Sequence, residues 1–250
     1  MALRIATAPV SWGILEVEGW ARQKSYGEVL DEMVEAGYTG TELGPSGFLP
    51  TDPELLNSEL RRRRLALIGA FVPLPLAHTA RHAAGFDAAI TVARLLAAAG
   101  APFLVLADQM DERRMAVAGS VDEARDGLSG AQWEGAAGLV STIAAEAVRL
   151  GLRTVFHHHA GTFVETPGEL DRLLALTAPD QVGVCLDTGH YFYGGGDPLA
   201  CVRRHRARIW HLHLKDVRPD VLAAVRREKV PYLEAIRRGE QGEAPEVESQ

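Results

Sequence analysis

Cysteine is scarce in this 250-residue chain, with Cys185 and Cys201 the only two. A disulfide framework needs more, and Cys185 falls inside an apolar run, so both read as structural thiols. Basic residues are also outnumbered, 26 Lys and Arg against 33 Asp and Glu, for a net charge of -7. A surface that tracks phosphates is normally rich in Lys and Arg, so no nucleic-acid partner is expected. The one basic run, Arg61 to Arg64, closes a helical pattern, where cations complement the negative end of the helix dipole. No stretch approaches the roughly 20 uninterrupted apolar residues of a membrane span. The opening M-A-L-R-I-A-T-A-P-V enters a strand-like run without the basic and apolar regions of a signal peptide. No membrane association is expected, and the cytoplasm is the expected compartment. No G-x-G-x-x-G or Walker-type sequence follows the first apolar run, which weakens a nucleotide-binding reading.

What remains is an ordinary globular composition, 47% hydrophobic and 24% charged, long enough for one large α/β domain. Strand-like runs fall near residues 4–9, 40–43, 66–72, 103–107, 153–158, 182–187 and 209–215. Helical patterns lie between them, near residues 26–36, 53–63, 79–99, 131–150, 167–176 and 197–206. Three of these helices end in E-A-G-Y, A-A-A-G-A-P and V-R-L-G-L, with glycine where a helix C-terminus favours it. Such alternation calls for a parallel sheet with right-handed crossovers, and the even spacing favours a closed (β/α) barrel over an open sheet.

Three strand-like runs end in histidine and acid: V-F-H-H-H-A-G from Val155, V-C-L-D-T-G-H from Val184, and I-W-H-L-H-L-K-D from Ile209. Side chains alternate across a strand, so His211, His213 and Lys215 share one face, as do His157 and His159 with His158 opposite. Imidazoles and carboxylates gathered at strand ends are metal-ligand chemistry, and barrel enzymes build their sites at the C-terminal ends of the strands. Other runs reach the same end with Trp12, Glu42, His78 and Asp108.

The segments A-P-V-S-W-G, T-E-L-G-P-S-G-F-L-P, F-H-H-H-A-G-T-F-V-E-T, L-D-T-G-H-Y-F-Y-G-G-G-D-P and H-L-H-L-K-D-V-R-P resemble the xylose-isomerase-like TIM-barrel superfamily of sugar isomerases and epimerases, nearest its inosose dehydratase branch. The resemblance runs from about Ile5 to about Arg238 and implies a (β/α)8 fold, one domain over residues 1–238. It also implies one divalent metal, Mn or Co first with Mg or Zn as alternatives. The ligands carried over are His157 on the fifth strand (a Glu in many relatives), Asp187 on the sixth and His213 on the seventh. A Glu on the eighth strand usually completes the set. Here E-Q-G-E-A-P-E-V-E-S-Q stands instead, acidic and without apolar periodicity, so residues 239–250 are expected to be a disordered tail and the eighth unit to be missing. The first and seventh strands would then be unpaired edges. A truncated or frame-shifted gene product is one reading of this ending.

The expected substrate is a small polyhydroxylated ketone. Removal of the proton α to its carbonyl leads to isomerisation, epimerisation or dehydration. Glu42, Lys215 and Glu165 are the candidates for proton transfer, and Trp12, His78, Asp108, His159, His190 and His211 for substrate contact. Asp187 has a second reading as a helix cap before T-G-H, and Lys215 reads equally as the salt-bridge partner of Asp216. A multi-zinc phosphodiesterase of the abasic-site endonuclease type and a non-catalytic polyol-binding barrel remain as alternatives, and a homodimer stays open.

Overall fold

The alternating pattern becomes, in a computed structural model that describes residues 5–14 and 24–237, one sheet of six parallel strands in sequence order. They are β1 (Gly40–Glu42), β2 (Ala66–Leu74), β3 (Phe103–Asp108), β4 (Arg153–His157), β5 (Val182–Asp187) and β6 (Ile209–His213). The helices before, between and after them are α1 (Tyr26–Glu35), α2 (Pro53–Arg63), α3 (His82–Ala98), α4 (Glu112–Met115), α5 (Glu123–Asp126), α6 (Gly130–Arg149), α7 (Pro167–Ala175), α8 (Thr188–Tyr193), α9 (Pro198–His205), α10 (Pro219–Glu228) and α11 (Tyr232–Arg237). The sheet curls into part of a TIM-type barrel, far enough for a side chain of β1 to meet side chains of β6. The acidic tail expected at residues 239–250 lies outside the described residues.

The first expected strand is corrected. Thr7 makes a single parallel bridge to Thr41, and Pro9–Trp12 then turns as a 3-10 helix. Proline lacks the amide donor that a ladder needs, so pairing stops there.

Helix starts follow local chemistry. Ser25 with Glu28, Ser129 with Gln132 and Thr166 with Glu169 each form a reciprocal capping box, satisfying amides that a first turn leaves free. Gly37, Gly100 and Gly151, after three of the helices, take the left-handed conformation that a side chain disfavours.

Strand alternation divides the core. Leu104, Leu106, Phe156, Val184 and Leu186 face the helices and join the main apolar cluster. Val105, Val155 and Cys185 face the barrel interior and form a small dry floor with Phe103 and Trp210. Each such buried side chain contributes about 1.5–3 kcal/mol, so the outer layer carries most of the stability and the interior is left for polar groups. At the C-terminal end, Tyr232 of α11 and Leu222 of α10 pack with Ala160, Tyr193 and Ala118 beside the strand ends. No helix among the described residues is long and apolar enough to cross a membrane.

Candidate active site

Pairing between β5 and β6 sets the site. Val184 pairs with Ile209 but Cys185 pairs with His211, so Trp210 is an extra residue in β6. Bulges of this kind re-aim side chains. The Trp210 indole occupies the space above Gly183, where a Cβ would collide with it. Beyond the bulge, Cys185 stands beside His211 and Asp187 beside His213, all facing inward.

Asp187 is the centre of the arrangement, and it is fully buried. Its Oδ1 accepts the His190 amide at 2.9 Å and caps α8. Its Oδ2 lies 3.3 Å from His157 Nε2, 3.8 Å from His213 Nδ1 and 3.4 Å from Lys215 Nζ. Cap and cluster member are therefore the same residue, one oxygen for each. Burial opposes its charge, yet the Lys215 cation and the neighbouring imidazoles outweigh that cost and hold the carboxyl well below its ordinary pKa. Burial lowers His157 to about 4, so its imidazole is neutral at pH 7, the form that binds metals.

Glu42 reaches this cluster from the far edge of the sheet. Its Oε1 accepts from His211 Nε2 at 2.8 Å and His213 Nε2 at 2.9 Å. Burial works against the charge, but the two imidazoles keep the carboxylate ionised and well below its usual pKa. His213 is raised in turn: burial opposes its cation, while Cys185 and Glu42 beside it favour the protonated ring. Lys215 Nζ also sits 3.2 Å from His190 Nε2, so its geometry is shared between Asp187 and His190.

The other expected site residues divide. His159 and His190 lie together, ring centroids 3.8 Å apart, with His190 Nδ1 accepting the Ala160 amide at 3.2 Å. His158 points to the opposite face, buried against Tyr191. Glu165, a proton-transfer candidate by sequence, uses its two oxygens to accept the Gly119 and Gly161 amides at 2.6 and 2.7 Å, tying two loops together. Asp108, a substrate-contact candidate by sequence, accepts the Leu76 and Phe163 amides at 3.1 and 2.8 Å. Burial raises both carboxyls to about 7. Trp12 packs edge-on against Tyr38, centroids 6.2 Å apart, and His78 stands 3.7 Å from Asp111 with a half-exposed side chain.

Two contributors escaped sequence reasoning. Phe71 presents its ring to His157 and His159, at 5.6 and 6.2 Å, and period-two counting along β2 could have placed it. Tyr232 of α11 approaches His159 and His190, at 5.8 and 6.3 Å, and nothing local announces it.

Ligand atoms of His157, Asp187 and His213 lie within 4.8 Å of one another. Two imidazoles and a carboxylate are a donor set that Mn, Co or Zn accepts, so these residues fit a divalent ion.

Comparison with known proteins follows the same line. A sequence profile of the xylose isomerase-like TIM barrel family matches residues 30–240. The inosose dehydratase of Geobacillus kaustophilus (strain HTA426) is 34% identical over 241 residues, covering 94% of this chain and 76% of that protein. The rhizopine catabolism protein MocC of Rhizobium meliloti is 35% identical over 239 residues, covering 96% of this chain and 72% of its own. Among solved structures, AsbF of Bacillus anthracis, involved in petrobactin synthesis, superposes with a TM-score of 0.70 at 15% identity, over 89% of this chain and 77% of that one. The IOLI protein, solved with a bound zinc atom, gives 0.63 at 13% identity, over 86% and 73%. On sequence and fold together, the chain belongs to the xylose isomerase-like TIM barrel family.

Proposed function

We propose that the chain removes the proton α to the carbonyl of a keto-inositol or related ketose and dehydrates it by loss of the β-hydroxyl. The observation that carries this reading is the convergence of His157, His213 and Lys215 on one oxygen of Asp187, at the ends of three adjacent strands. The inosose dehydratases at 34% and 32% identity favour dehydration over isomerisation or epimerisation, which share the same first step.

His157, Asp187 and His213 are the residues that would hold one divalent ion, with Mn or Co preferred. When bound there, such an ion would act as a Lewis acid toward the carbonyl and its neighbouring hydroxyl, and its charge would favour the neutral amine of Lys215. Lys215 Nζ takes the α-proton and returns it to the departing hydroxyl, which leaves as water. His190, 3.2 Å from that amine, holds it in place. His159 beside His190 meets substrate hydroxyls. Glu42 positions His213 and His211 instead of moving a proton, because its near oxygen is already shared by both rings. Glu165 and Asp108 keep the surrounding loops in register through the backbone amides they accept.

The partner in this reading is a small polyhydroxylated ketone. A multi-metal phosphodiesterase would need His190 as a ligand, yet its Nδ1 accepts a backbone amide and its Nε2 faces Lys215. Incubation with Mn and a keto-inositol should yield a product lighter by one water. Recovery of unchanged keto-inositol from protein with Mn bound would rule dehydration out.

A further inference from the structure

Below the cluster at Asp187 lies a second convergence of donor atoms. The register that pairs Asp187 with His213 also pairs Cys185 with His211, two residues nearer the strand starts. Ligand atoms of Cys185, His211 and His213 lie within 4.8 Å of one another. The thiol is fully buried. The imidazoles keep 15% and 22% side-chain exposure, so an ion can reach the sulfur past them. Phe103 stacks on His211 with centroids 5.0 Å apart, and Val105 and Val155 make the floor beneath apolar. Glu42 Oε1 touches both imidazoles, at 2.8 and 2.9 Å, and orients them as a carboxylate behind metal-bound histidines does.

We propose that this lower step is a second metal site, selective for a thiophilic divalent ion such as zinc or cadmium, with Cys185, His211 and His213 as its protein ligands. The two steps differ in kind. The upper one offers two nitrogens and an oxygen, the lower one a sulfur and two nitrogens, and thiolate ligands select the softer ions. Binding breaks the Cys185 S–H bond, forms a sulfur–metal bond and releases the proton to solvent. A neutral imidazole has one free lone pair, so His213 serves one ion at a time. Filling the lower site therefore withdraws a ligand from the upper one, and soft ions act as inhibitors. That inhibition rests on the proposed upper site, whereas occupancy of the lower site does not.

Cadmium added to the purified 250-residue protein tests the site directly. Only two cysteines are present, so in Cys201→Ser any sulfur-to-cadmium charge-transfer band in the ultraviolet difference spectrum comes from Cys185. One equivalent should develop that band in wild type and in Cys201→Ser, and the band should vanish in Cys185→Ser. His211→Asn should keep the band but weaken cadmium binding by more than the roughly 10- to 100-fold that loss of a supporting residue costs. In wild type loaded with Mn, the same titration should release Mn, seen as the free-ion paramagnetic resonance signal. No band in Cys201→Ser overturns the site, whether or not the protein turns over any ketose. A band with full retention of Mn overturns the sharing of His213.

Discussion

Glu42 Oε1 lies 2.9 Å from His213 Nε2, joining the first strand of the sheet to the last. With Nε2 engaged, His213 turns Nδ1 toward Asp187 Oδ2, 3.8 Å away. A carboxylate behind a ligating imidazole fixes its orientation and raises its basicity.

Glu42→Gln keeps an oxygen at the same place and removes the charge. Mn affinity should fall about 10- to 100-fold, measured by calorimetry. Unchanged affinity would show that Glu42 closes the barrel seam without tuning His213.

Asp187 separates two jobs through two replacements. Asn retains an oxygen for the His190 amide and should keep the cap. Ala should cost a further 0.5–2 kcal/mol or so in urea denaturation. Both should lose stoichiometric Mn binding. If Asn is as unstable as Ala, the cap is not what Oδ1 contributes.

His157 makes stability depend on pH. Its pKa is lowered from 6.5 unfolded to about 4 folded, so the unfolded chain binds the proton more tightly. The stabilisation is present above pH 6.5 and is lost as pH falls toward 4, with about 2 kcal/mol gone between pH 7 and pH 5. Comparing urea midpoints of wild type and His157→Gln across that range isolates the effect, and the variant should show a flatter profile. Parallel profiles would mean that His157 titrates normally.

Arg114 and Glu169 form an ion pair 2.9 Å apart with side chains 0% and 2% exposed. Glu169 also accepts the Glu165 and Thr166 amides, so the pair anchors the loop that carries His159. Glu169→Gln leaves a buried guanidinium without its counter-charge and should cost about 3–5 kcal/mol. A loss under 1 kcal/mol would show that water reaches Arg114.

Much of this was legible in the chain. β5 spans the residues that alternation predicts, 182–187, and α2 spans 53–63, because Asp52 caps it, Pro53 opens it and Arg64 adopts the left-handed turn after it. The inward face of His211 and His213 also follows from period two. The first strand misleads because Thr7 and the residues around it alternate suitably while Pro9 ends the ladder. Asp108 and Glu165 look like site acids, since nothing near them in sequence shows that the amides of Phe163, Leu76, Gly119 and Gly161 come to meet them. The contact between Glu42 and His213 spans 171 positions and depends on how far six strands curl. Helix α10 follows β6 as a β–α repeat requires and is legible from Pro219 at its start and the buried Leu222 and Val225, whereas the six residues of α11 are too few to show a period.

Solvent deuterium exchange reads proton abstraction by Lys215 before any later step intervenes. Wild type with Mn should place deuterium at the carbon next to the carbonyl of a keto-inositol. Lys215→Met should bind Mn as wild type does and exchange about 100- to 10,000-fold more slowly. Exchange at the wild-type rate in Lys215→Met would exclude Lys215 as the base.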